Sequence, residues 1–220
     1  MIAAELIVDL LPPLKPTDTC AKAIRWMNEF KLSHLPVVDG HQLVGIISEE
    51  ELYDLNDEEE TLRNADCNFI DVFATADQHI FEVMSLMSEN NLSVIPILDS
   101  DENYLGASTL PHIMALTTNT TSVKEPGGVI VLEVNQNDYS LAQIAQIVES
   151  NNARILSSFI TSSPDSMKME ITIKVNKQDL TRILATFDRY EYVVVESYQE
   201  SDGVDDIKNR YDHLMKFLDL

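Results

Sequence analysis

Leu35-Pro36-Val37-Val38-Asp39, followed by Leu43-Val44-Gly45-Ile46-Ile47-Ser48, is written a second time as Ile95-Pro96-Ile97-Leu98-Asp99 and Tyr104-Leu105-Gly106-Ala107-Ser108-Thr109. A repeated unit of this size buries its apolar face against its own copy, and the two copies leave a cleft about a pseudo-twofold axis. In each copy the apolar run with proline is a short buried strand, the Asp that follows opens a turn, and the run through Gly is a second strand. Ahead of them Ala21, Ala23, Ile24, Met27 and Phe30 recur at helical spacing, as do Ile80, Val83, Met84, Leu86 and Met87. Ser48 and Thr109 each precede a closing helix, the second expected over Thr109 to Leu116. Each copy therefore reads β-α-β-β-α.

Working outward, Thr117 to Ser122 is a polar run that ends at Glu125-Pro126-Gly127-Gly128, a boundary signal. Beyond it lie a strand (Val129 to Val134), a helix (Leu141 to Val148) and a strand (Ile155 to Thr161) that turns at Ser162 to Asp165. Met167, Met169, Ile171, Ile173 and Val175 then alternate strictly, as in a strand with one face buried. A helix carrying Leu180, Ile183, Leu184 and Phe187 and a last strand from Tyr192 to Val195 complete the order βαββαβ. The expected boundaries are residues 1–62 and 63–118 for the repeats, 119–127 for a linker, 128–200 for the second domain and 201–220 for a helical tail. On that tail Ile207, Tyr211, Leu214 and Leu218 share one face.

Charge narrows the functions. The chain of 220 residues has a formal net charge of −22. Nucleic acid and anionic membrane surfaces both need a cationic footprint, so neither is an expected partner. Between Arg63 and Lys124 there is no Lys or Arg, so an anionic ligand held there relies on backbone N–H groups or a metal escort. The start Met1-Ile2-Ala3-Ala4-Glu5 has neither a basic region nor a long apolar run, so neither a secretory leader nor a membrane span is expected, and the cytoplasm is the expected location. Cys20 and Cys67 stand outside any CxxC or Cys/His cluster and read as two reduced, buried thiols. Asp99-x-Asp101-x-Asn103 begins like a calcium loop, but Tyr104 replaces the required Gly and Leu110 the bidentate Glu, so it reads as a turn. No metal site, nucleophile–base set, GxSxG, P-loop or GxGxxG is visible, so an enzyme is not expected.

The doubled apolar-Pro-apolar-apolar-Asp strand, the later Gly and the hydroxyl residue at a helix start resemble a tandem pair of CBS domains. The βαββαβ order and the helix entry Asp138-Tyr139-Ser140-Leu141-Ala142 resemble an ACT domain. The order CBS–CBS–ACT is similar to regulatory proteins of the acetoin-utilisation B type. The resemblance implies an α+β fold: a CBS pair followed by a ferredoxin-like βαββαβ domain.

It also implies a cleft for an adenosine compound: AMP, ADP, ATP or S-adenosylmethionine, the phosphates with or without Mg²⁺. The hydroxyl positions are Ser48 and Thr109, and the ribose-binding acid positions are Glu51 and His112. Both depart from the family's Asp. Glu51 keeps a two-oxygen acceptor on a longer arm, whereas His112 offers at most one acceptor, so Ser48/Glu51 ranks ahead of Thr109/His112. Ser33-His34 and Ser93-Val94, just before the prolines, would lie near the base. A cationic ligand such as S-adenosylmethionine suits the negative field better than ATP. In the ACT-like half, Asp138-Tyr139 replaces the usual Pro-Gly turn, and the Tyr139 ring would fill an amino-acid pocket. The expected protein is a homodimeric, non-catalytic sensor acting on a regulated protein, the alternative being a dimerising scaffold that binds nothing small.

Overall fold

The computed structural model describes residues 1–8, 11–55, 57–120, 122–162 and 167–199. The expected helix of the tail and the turn at residues 163–165 lie outside them. The chain divides into two compact units, Met1–Thr117 and Thr118–Leu220.

In the first unit the second repeat shows all five expected elements, whereas among the described residues the strand expected ahead of the first repeat's helix is reduced to an isolated parallel bridge of Leu14 with Val37. Helix α1 (Cys20–Phe30) starts where the Thr19 side chain accepts the Lys22 N–H, and it ends at Lys31, whose φ of 54° is left-handed. It buries Cys20, Ala23 and Met27. Strands β1 (His34–Asp39) and β2 (Gln42–Ser48) form an antiparallel hairpin, and α2 (Glu49–Tyr53) closes the repeat. The second copy runs β3 (Ala74–Thr75), α3 (Ile80–Glu89), β4 (Val94–Leu98), β5 (Tyr104–Thr109) and α4 (Leu110–Thr120). It buries Ile80, Val83 and Met87 at the places of Cys20, Ala23 and Met27, and its turn after α3 uses Asn91 at φ 52°. Pro36 pairs with Ile46 and Pro96 with Ala107, and the register slips at Val37/Val38 and again at Ile97/Leu98. Proline cannot donate to the ladder, but the Pro36 carbonyl accepts the Leu14 N–H at 2.9 Å, so the site is tolerated within the sheet.

Helix α4 continues past Leu116 to Thr120, into the polar run expected to be linker. The Thr117 hydroxyl donates to the Ile113 carbonyl one turn back (2.8 Å), which lets a polar residue stay helical.

The segment that enters each repeat lies on the sheet of the other. Ile70 exchanges N–H···O bonds with Ile46 of β2 (2.8 and 2.9 Å), and the Val8 N–H donates to Ala107 of β5 (2.9 Å). Two glycines make room for these crossings. A Cβ on Gly45 would stand 2.7 Å from the Phe69 Cβ, and one on Gly106 would stand 2.5 Å from the Ile7 Cγ2. Residues 1–8 thereby pack on the second repeat, with Ala3 and Leu6 fully buried there and the Ala3 N–H on the Gln78 carbonyl. One continuous core results, in which Leu35, Val37, Ile46 and Ile47 share a cluster with Val94, Ile95, Ile97 and Ala107.

The second unit is an antiparallel sheet in the order β7-β8-β6-β9, formed by β6 (Gly128–Asn135), β7 (Ile155–Ser162), β8 (Lys168–Val175) and β9 (Val193–Tyr198). Helices α5 (Leu141–Ser150) and α6 (Thr181–Arg189) supply Ile144, Ile147, Val148, Ile183 and Phe187 to its core. The alternation read from the sequence is realised over Ile171, Ile173 and Val175 of β8, which are buried, while Met169 is half-buried and Met167, ahead of the strand, is exposed; Ile130 and Leu132 of β6 are buried beside them. The Ser140 hydroxyl caps α5 by accepting the Gln143 N–H at 3.3 Å. Tyr139 packs against this core, the position expected to fill the pocket that Pro-Gly would open.

Candidate functional site

Of the residues singled out from the sequence, Ser33, His34 and Ser93 meet where the two repeats join, whereas Ser48, Glu51, Thr109 and His112 stay at the starts of their own repeats' closing helices. His34 opens β1 opposite Ser48, and Val94 opens β4 opposite Thr109. The Ser33 carbonyl accepts the Glu49 N–H (2.8 Å), and the Ser93 carbonyl accepts the Leu110 N–H (3.0 Å), so each strand start is clamped to its repeat's closing helix. Across the pseudo-twofold axis the Ser93 hydroxyl accepts the Ser33 N–H (3.1 Å) and lies 3.2 Å from His34 Nδ1. The Ser33 hydroxyl is also 3.2 Å from Nδ1, and the Ser93 N–H donates to it at 3.3 Å. An Nδ1 that accepts a backbone N–H carries no proton, so the imidazole is neutral and its proton is on Nε2.

His34 is half-buried, and this burial pushes its pKa below the ordinary histidine value. The folded state therefore binds a proton less readily than the unfolded chain. This group's contribution is whole above about pH 6.5 and is lost as the pH falls through the lower folded value. The urea midpoint followed by Trp26 fluorescence is expected to fall between pH 7.5 and 5.5. His34→Asn, which keeps an acceptor but cannot titrate, is expected to flatten that slope. Equal slopes in both proteins would remove His34 as the cause.

At the helix starts, the Ser48 Oγ accepts the Glu51 N–H (3.1 Å) and the Thr109 Oγ1 accepts the His112 N–H (3.3 Å). Each hydroxyl is thus an N-cap, yet each retains a proton to donate. The Glu51 carboxylate is anchored, as its Oε1 accepts both the N–H (2.8 Å) and the side-chain amide (3.0 Å) of Asn68. Its Oε2 has no hydrogen bond among the described residues. Asn68 was not foreseen; it lies in the chain that crosses back onto the first repeat, and no spacing signal points to it.

A groove of about 480 Å³ beside this hub is lined by Ser33 and Ser93 and by residues of α3 and α4, among them Met84, Met87, Leu110 and Met114. No charged side chain lines it. It can take a flat apolar group next to the polar cluster. Among the described residues no group of three or more His, Cys, Asp or Glu is arranged to hold a metal ion, and no helix is long and apolar enough to cross a membrane.

The CBS domain family matches residues 7–57 and 70–116, so the first unit is a tandem pair of CBS domains. An inosine-5'-monophosphate dehydrogenase of Methanocaldococcus jannaschii is 24% identical over 149 residues, which are 67% of this chain and 30% of that protein. The chain therefore spans less than a third of the length of that curated relative. Among solved structures, a CBS domain pair/ACT domain protein from Thermotoga maritima is 19% identical with a TM-score of 0.48, over 54% of this chain and 98% of that one. A protein from Vibrio cholerae named as an acetoin utilization protein (AcuB) is 19% identical with a TM-score of 0.47, over 56% and 95%.

Proposed function

We propose that this CBS pair, joined to an ACT-like domain, is a cytoplasmic, non-catalytic regulatory protein that takes an adenosine-type ligand where its repeats meet. The reading is carried by the convergence of Ser33, His34 and Ser93 on one hydrogen-bonded hub, flanked by the hydroxyl caps Ser48 and Thr109. Glu51, held by Asn68 through one oxygen, keeps the other for the ribose hydroxyls. His112 offers a single acceptor at the equivalent place. Ligand binding shifts the protein between two arrangements only by its differential affinity for them, and that difference would be passed to a second copy and a regulated partner.

Thermal unfolding with AMP, ADP, ATP and S-adenosylmethionine, each with and without Mg²⁺, tests the reading. A ligand at a hundredfold excess over its Kd stabilises by about 2.7 kcal/mol. Glu51→Ala is expected to weaken binding about tenfold or more, and His112→Ala less than about threefold, since a lost charge-assisted bond costs more than a neutral one. Equal losses would remove Glu51 from the ligand's shell.

One observation favours a second reading, a dimerising scaffold without a small ligand. Ser48, Thr109 and Glu51 all have partners within the chain. No shift with any of the four compounds would select it.

A further inference from the structure

The sheet of the second unit has a covered face and an open one. Ile130, Leu132, Ile171, Ile173 and Val175 share a buried cluster with residues of α5 and α6. Side chains alternate along a strand, so the residues between them point to the opposite face. The registers set these out in rows. Phe159 of β7 stands beside Thr172 of β8, Val131 of β6 and Glu196 of β9, and the adjacent row carries Lys174, Val129 and Tyr198. A band of apolar surface therefore crosses the sheet diagonally, from Phe159 over Val131 and Val129 to Tyr198. Its two ends are 51% and 58% exposed. Exposed Glu170 and Glu196 lie along one side of the band.

Strand β9 ends in this band at Tyr198, and residues 200–220, outside the described residues, follow directly. In their sequence Ile207, Tyr211, Leu214 and Leu218 recur at helical spacing, with Lys208 on one flank of the stripe and Arg210 on the other. A helix over residues 205–218 would be about 20 Å long, and the outer strands of a four-stranded sheet are about 14 Å apart. The connection from residue 199 to 204 can reach roughly 20 Å, enough to bring such a helix over the sheet's centre. A helix this short is marginal alone in water and needs a surface for its apolar stripe.

We propose that the C-terminal tail of this chain, residues 205–218, covers the open face of its own sheet, with its stripe on the band from Phe159 to Tyr198. Whichever way the helix runs, one of its two flanking cations lies on the side of Glu170 and Glu196. The tail thereby closes that face to other proteins for as long as it stays docked. The proposal is independent of any ligand of the first unit.

The test is hydrogen–deuterium exchange of the full chain, read by mass spectrometry on peptides from residues 205–218. These amides are expected to exchange at least about tenfold more slowly in the wild type than in Phe159→Asp or Tyr198→Asp, which place a charge at either end of the band. Leu214→Asp, which lies in no strand, should release the tail to the same degree and raise the fluorescence of a dye that binds apolar surface. Residues 168–175 of β8 should stay protected in all three, and Leu214→Asp decides where a strand variant disturbs the sheet. Unprotected tail amides in the wild type would overturn the proposal. So would protection that survives Leu214→Asp, or that survives both strand variants with the sheet intact. Protection that fades on dilution would place the tail on a second copy and overturn the contact within one chain.

Discussion

Gly127→Ala is expected to destabilise the second unit by about 3 kcal/mol or more and to leave the first unit unchanged. At Gly127 φ is +158°, and a Cβ would stand 1.9 Å from the Val175 carbonyl oxygen. That oxygen is backbone at the end of β8, so no side-chain rotation relieves the collision. Gly128 and Val175 are register partners in the β6–β8 ladder, and separating them would strip Ile130 from Ile173 along the same pair of strands. The sequence has one tryptophan, Trp26, and it is partly buried and packs against the first unit's core. The unfolding curve followed by Trp26 should therefore stay in place while the far-ultraviolet circular dichroism gains an earlier transition. A common shift of both signals would mean that the units unfold together and that the effect is not confined to the sheet.

Gly45→Ala is expected to cost about 2–4 kcal/mol, this time in the Trp26 signal. Its φ of +149° is strained for any residue with a Cβ, and that Cβ would meet the Phe69 Cβ at 2.7 Å and the Ile70 carbonyl oxygen at 3.1 Å. The collision pushes away the segment that crosses onto β2, and Asn68 in that segment anchors Glu51. Loss of stability should thus be accompanied by weaker binding of whichever adenosine compound stabilises the wild type. Gly40 supplies the control. It also has positive φ (+66°), but nothing lies within 4 Å of its Cβ position, so Gly40→Ala carries only the left-handed penalty of about 1–2 kcal/mol. Equal effects at the two glycines would show that backbone strain, not the crossing segment, sets the cost.

Much of the candidate site was legible in the sequence because the repeat carries its own alignment. Pro36 and Pro96, Gly45 and Gly106, and Ser48 and Thr109 recur in order, so a residue identified in one copy names its counterpart in the other. The hydroxyl caps were readable for the same reason, since a cap is a bond between near neighbours. The hub of Ser33, His34 and Ser93 was readable only as a set of residues close to the strand starts. That the His34 ring accepts from the Ser93 backbone depends on how the copies meet, which no local pattern records. The extension of α4 to Thr120 escaped because polar residues that usually mark a linker can bond back onto a helix, as Thr117 does.

By itself the sequence determined most of the elements: apolar period two or four, Gly, Pro and hydroxyl positions, and hence the β-α-β-β-α order of the second copy and the βαββαβ order after it, whereas the strand expected ahead of α1 is only an isolated bridge of Leu14 with Val37. These follow from contacts a few residues apart, where chain geometry alone decides which side chains share a face. Only the tertiary structure decided that each entering segment lies on the opposite repeat and that Asn68 grips Glu51. Those pairings join distant parts of the chain, and they are selected by the fit of whole surfaces such as Phe69 over Gly45, a property of packed volume that local order does not carry.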